Sequence, residues 1–138
     1  MSRRLFLPFL LLVITGCQLP EQRTPLRPLP EDSPPLPYAE LLTRARQQAG
    51  AATNGFYVND WTELEDAARN LEQTARFLPK STDVPEKYKE KLAAMAGDLG
   101  KDATTLKEAA TTKEKDVKRI TSLLTSINAR IREMRLED

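Results

Sequence analysis

The chain contains no histidine, and that gap removes more chemistry than any motif adds. Imidazole titrates near neutral pH, so its absence excludes a histidine general base, a histidine-dependent triad and histidine metal ligands. Cysteine occurs once, at Cys17, which excludes an internal disulfide and a multi-thiolate zinc site. No bound cofactor or metal is therefore expected. A charge excess is missing too: 21 basic groups face 20 acidic ones, and removing Arg3 and Arg4 with the leader described below turns +1 into −1. So even a mixture gives no electrostatic case for nucleic acid. No strand alternation, glycine-rich phosphate loop or internal repeat competes with a helical reading of the body. Most hydrolase and metalloenzyme classes are excluded, while a carboxylate or lysine mechanism is not. Its candidates, Glu63, Asp66, Glu86 and Glu90, lie in charge-rich runs with no partner motif to move a pKa. An enzyme therefore ranks below a binding protein.

What is present begins with an apolar leader. Arg3 and Arg4 precede an apolar run from Leu5 to Ile14, broken only by Pro8, and Thr15-Gly16 supplies small residues before Cys17. The run falls short of the about 20 residues that a membrane-spanning helix needs. Ile14-Thr15-Gly16-Cys17 resembles a bacterial lipobox, at which diacylglycerol joins the cysteine thiol before cleavage. The resemblance implies a signal peptide over 1–16 and a lipid anchor on Cys17, whose acyl chains would insert in a leaflet. Gln18 in the next position, rather than aspartate, resembles the outer-membrane default, with the body facing the periplasm.

Residues 17–37 are expected to form a tether. Seven of the ten prolines fall here, at Pro20, Pro25, Pro28, Pro30, Pro34, Pro35 and Pro37. Proline lacks an amide donor and fixes φ, so neither helix nor central strand survives that density. A semi-rigid spacer reaching roughly 3 Å per residue, about 60 Å in all, follows. The alternative is a docking peptide around Pro28 and Pro35.

From residue 38 to 138 helical periodicity takes over, predicting an all-α, antiparallel four-helix bundle. The first helix, Tyr38 to Thr53, is predicted short and weak, with an alanine-rich face ended by Asn54-Gly55. The second opens on an Asp60/Glu63 capping box and carries Trp61, Leu64, Ala68, Leu71, Ala75 and Leu78 at alternating steps of three and four. Glu65–Arg69 and Glu72–Arg76 are spaced as i,i+4 pairs, and Pro79 stops the helix. The third is predicted to start at Asp83-Val84-Pro85-Glu86, with a Tyr88, Leu92, Met95, Leu99, Leu106 stripe. Gly97 and Gly100 within it make a narrow side for close packing or a ligand pocket against the fourth helix. The fourth is predicted to open on Thr111/Glu114 spacing, with Val117, Ile120, Leu124, Ile127, Ile131 and Met134 as its stripe.

The run Asp60-Trp61, Leu64, Ala67-Ala68, Leu71, Ala75 and Leu78-Pro79 is similar to the second helix of cytochrome c′-like bundles. Their last helix carries Cys-x-x-Cys-His, then a bulky residue and an arginine. On that resemblance Ile127 and Arg130 stand at the haem-attaching cysteines, Ile131 at the axial histidine, and Met134-Arg135 at the trailing positions. It implies a haem-less relative, because covalent attachment needs thiols and iron ligation usually needs imidazole, thiolate or phenolate. The function expected is a structural or adapter lipoprotein that engages another envelope protein. The alternative is a carrier of a small apolar ligand or lipid, using a pocket at Gly97 and Gly100 between the third and fourth helices.

Overall fold

A computed structural model describes residues 27–135. The leader and Cys17 lie outside the described residues. The described part is all-helical: α1 spans Tyr38–Tyr57, α2 Trp61–Phe77, α3 Leu92–Thr111 and α4 Val117–Glu133. Single 3-10 turns at Leu78–Lys80 and Glu86–Tyr88 join α2 to α3. Each helix packs on its sequence neighbours, and a thinner seam between α1 and α4 closes the four-helix bundle.

Helix α2 forms as its pattern dictates. The Asp60 carboxylate accepts from the Glu63 amide at 2.9 Å, satisfying one of the free donors of the first turn. The reciprocal half of the capping box is not made: the Asp60 amide donates to the Gly55 carbonyl at 2.8 Å, and Glu63 accepts from Asn54. Leu64, Ala68, Leu71, Ala75 and Leu78 are buried, whereas Trp61 is half-buried and packs edge-on against Phe56. Glu65 and Arg69 pair as spaced. Glu72 and Arg76 choose partners elsewhere, Glu72 bonding Lys107 of α3 at 2.7 Å and Arg76 bonding Glu31 at 3.1 Å.

Helix α1 is not the short, weak element expected. It runs for 20 residues, matching α3, and buries Tyr38, Leu41, Leu42, Ala45, Ala49 and Ala52. Tertiary packing supplies what local propensity lacks, since a packed face rather than intrinsic preference stabilises most protein helices. Asn54-Gly55 does not end it. Gly55 sits inside the last turns, and a methyl group there would lie 2.9 Å from the Leu64 amide nitrogen and 3.0 Å from the Asp60 carbonyl oxygen. Glycine is thus required for close approach to α2. The left-handed residue at the corner is Asn59, with φ of 57°.

Two other boundaries also differ. Asp83–Glu86 does not open α3; the chain makes one 3-10 turn through Tyr88, and α3 begins at Leu92. The cause is long-range, because the Tyr88 hydroxyl lies 2.8 and 2.7 Å from the Glu133 and Arg135 carbonyls at the end of α4. Thr111 closes α3 instead of opening α4, whose cap is Asp116, accepting from the Arg119 amide at 3.0 Å. Val117 is consequently on the first exposed turn, and the buried stripe of α4 begins at Ile120.

Tyr38 anchors the end of the bundle where α1 starts and α4 finishes. Its buried hydroxyl donates to the Met134 carbonyl at 2.5 Å, and its ring lies 6.1 Å from that of Tyr88. The last carbonyls of α4, unpaired within the helix, thus find donors in two tyrosines. Burial, with a smaller push from Tyr88, raises the Tyr38 pKa to about 12.

Candidate functional site

Residues 27–37 do not leave the body as a free spacer. They lie along α1 and α2 as a strap, with Leu29 and Leu36 packed on the core. At its lower end, Pro37 pairs with Thr82 in a single parallel bridge. The Thr82 amide donates to the Leu36 carbonyl at 2.9 Å, and Tyr38 donates to the Thr82 carbonyl at 2.9 Å. Further along, Gln73 of α2 bonds both main-chain polar groups of one residue, Leu29. The Leu29 amide donates to Gln73 Oε1 at 2.8 Å, and Gln73 Nε2 donates to the Leu29 carbonyl at 2.7 Å. Nε2 also donates to Glu31 at 3.2 Å, Arg76 reaches the same carboxylate oxygen, and Arg44 donates to the Arg27 carbonyl at 3.0 Å. The expectation of a spacer therefore gives way over 27–37. The prolines have no amide to donate, but the intervening Leu29 gives its own to Gln73.

Gln73 is 8% exposed, so its amide would be costly to bury unpaired. Sequence reasoning missed it because a glutamine between Glu72 and Thr74 reads as surface. The available signal was its position one turn before Phe77, on a helix whose neighbours are buried.

The opposite end of the bundle carries a second feature. Tyr57 is 76% exposed and Val58 60% exposed, consecutive apolar residues at the α1–α2 corner. Beside them an open groove of about 260 Å³ follows the thin α1–α4 seam, lined among others by Phe56, Tyr57, Leu124 and Asn128. Lys115, which caps the end of α3 through the Ala110 and Thr112 carbonyls, also sits over the Trp61 ring, 5.3 Å from its centre.

The positions that the resemblance sets at the haem motif lie together on α4, facing the interior or α3. Ile127 and Ile131 are buried in the core, with Met134 below them. Arg130 instead clasps α3: its Nε donates to Asp102 at 2.7 Å, Nη1 approaches Asp98 at 3.4 Å, and Ser126 donates to Asp102 at 2.6 Å. The Asp102 bond holds the Arg130 guanidinium even more firmly protonated than usual. Across the α2–α3 seam, the Lys107 hydrogen bond draws the Glu72 carboxyl below its ordinary value.

Gly97 and Gly100 do not face a shared cavity on α4. Gly97 is exposed, with nothing within 4 Å of an added methyl, and Gly100 lies against Ala75 of α2 at 3.6 Å. Small residues here admit a neighbouring helix, and the α3–α4 seam is held by the Arg130 clasp. Among the candidate carboxylates, Glu63 receives Asn54, Asp66 pairs with Arg69 at 2.9 Å, Glu86 pairs with Lys89 at 2.5 Å, and Glu90 is exposed. They lie apart, on α2 and on the α2–α3 connection. Among the described residues no cluster of three metal-ligating side chains occurs, and no helix is long and apolar enough to cross a membrane.

The fold and these surfaces define an all-α four-helix bundle carrying a docked N-terminal strap. Against protein-family models, curated proteins and solved structures, the chain gives no match.

Proposed function

We propose that the protein is an envelope lipoprotein, held by acyl chains on Cys17 at the outer membrane, whose bundle is a non-catalytic adapter for another envelope protein. The observation that carries the adapter reading is the exposed corner at Tyr57 and Val58, beside the α1–α4 groove. Paired large apolar side chains next to a partly formed groove supply the kind of anchor that protein interfaces use. Ile127, Ile131 and Met134 support the haem-less part of the reading, because hydrocarbon fills the space that, on the resemblance to cytochrome c′-like bundles, the haem motif would face. The lipid anchor rests on the lipobox-like Ile14-Thr15-Gly16-Cys17.

The test places a photo-crosslinking residue at Val58, or at Lys101 on the exposed side of α3, in cells carrying the full chain. The adapter reading predicts a discrete protein adduct from position 58, none from 101, and loss of the first with Tyr57→Asp. Equal adducts from both positions, or none from either, would remove the reading.

A further inference from the structure

The clamp on the strap recognises little, and what it recognises occurs twice. Gln73 reads the amide and carbonyl of Leu29, the core receives the leucine side chain, and Gln73 with Arg76 reads the carboxylate of Glu31. Between them Pro30 keeps the backbone extended. The ligand is thus Leu-Pro-Glu, and the same tripeptide stands ten residues upstream as Leu19-Pro20-Glu21. The other Leu-Pro pairs, at Leu7, Leu36 and Leu78, are followed by Phe9, Tyr38 and Lys80, which offer no carboxylate.

We propose that the Gln73–Arg76 clamp is a Leu-Pro-Glu recognition site with two ligands in its own chain, and that Leu19-Pro20-Glu21 exchanges with Leu29-Pro30-Glu31. Every contact the clamp makes is available in the shifted register. Leu19 has the amide that Gln73 needs, Glu21 has the carboxylate, and the Arg44 contact falls on a main-chain carbonyl, that of Cys17 in place of Arg27. Residues 36–38 remain bound to Thr82 in both registers. The segment between clamp and Leu36 lengthens from residues 32–35 to residues 22–35, so reach is no obstacle. Loop closure weakening as the three-halves power of length disfavours the longer loop by about sevenfold. The Leu29 register therefore dominates at rest, with the other a populated minor state.

The consequence for reach rests on the lipid-anchor reading; the exchange itself does not. With Leu29 docked, residues 18–26 separate Cys17 from the body, about 28 Å at the polyproline rise. With Leu19 docked, Cys17 lies against Arg44 and the bundle is drawn onto the bilayer. A partner that pulls on the bundle would favour the long register.

The experiment uses the full-length protein in detergent micelles and follows the Gln73 side-chain amide by nuclear magnetic resonance, assigned with Gln73→Ala. Three variants are compared: Leu29→Ser with Glu31→Ser, Leu19→Ser with Glu21→Ser, and all four changes together. The expected result is a bound amide shift in both double variants and a solvent-like shift only in the fourfold variant. Far-UV circular dichroism confirms that each variant keeps its bundle. A solvent-like shift in the first double variant would overturn the exchange, and a bound shift in the fourfold variant would overturn motif recognition. The amide shift reads the exchange whether or not Cys17 carries lipid, so failure of the anchor is detected separately by the mass of the N-terminal peptide.

Discussion

Tyr38→Phe removes one oxygen from a fully buried ring and leaves the Met134 carbonyl without its donor. A buried acceptor deprived of its partner costs about 1–3 kcal/mol, and the ring's own packing is unchanged. The same hydroxyl sets an alkaline limit on stability. Its folded pKa of about 12 lies above the ordinary 10.0, so the folded state favours the protonated phenol. That contribution is complete below pH 10 and is lost as pH rises from 10 through 12. Two pKa units correspond to about 2.7 kcal/mol. Urea denaturation followed by far-UV circular dichroism at pH 8 and pH 11 measures both effects. The wild type should lose more stability than Tyr38→Phe between the two pH values, so that the gap seen at pH 8 narrows at pH 11. The rest of the chain is common to both proteins and cancels in the difference. Equal stability at pH 8 together with parallel alkaline losses would refute the assignment of Tyr38 as the donor that closes α4.

Gly55→Ala should destabilise by about 1–3 kcal/mol, because its methyl would strike backbone that cannot yield. Gly97→Ala should stabilise by about 0.5–1 kcal/mol, since helix propensity improves in open space; chemical denaturation of the pair reads both signs. Arg130→Ala should cost about 1–2 kcal/mol, visible as a lower urea midpoint, by taking the guanidinium from Asp102. Glu72 contributes stability above its ordinary carboxylate value that is lost as pH falls through its lower folded one. Glu72→Gln should therefore flatten that part of the acid-denaturation curve. Gln73→Ala should speed hydrogen exchange at the Leu29 amide while leaving the interior of α2 protected.

Where the determinants are local, the sequence reads directly. The three-four stripes of α2 and α4 and the Asp60 cap are of this kind, and they suffice for four helices around one core. The errors fall where distant residues intervene. Gly55 has the composition of a helix exit, but its function is set by Leu64 and Asp60 on the next helix. Tyr88 sits at helical spacing from Leu92, yet the α4 carbonyls hold it in a separate turn. The strap was hidden for the same reason, since proline density describes what its backbone forbids and says nothing of Gln73, 44 residues away. The exposed corner has the same origin: with the helix expected to end at Asn54-Gly55 nothing marks Tyr57-Val58, yet α1 runs on through Tyr57 and Asn59 turns the chain beyond them. Arg130, which the resemblance sets at a haem-attaching position, takes a role that its own helix does not reveal, since the Asp102 it clasps lies 28 residues away on α3.

The mass of the N-terminal peptide, released from protein extracted out of native membranes, tests the central claim most directly. The account predicts a peptide that begins at Cys17 and carries a diacylglyceryl group, absent from the Cys17→Ser variant. A peptide that retains residues 1–16 with a free Cys17 thiol would contradict it.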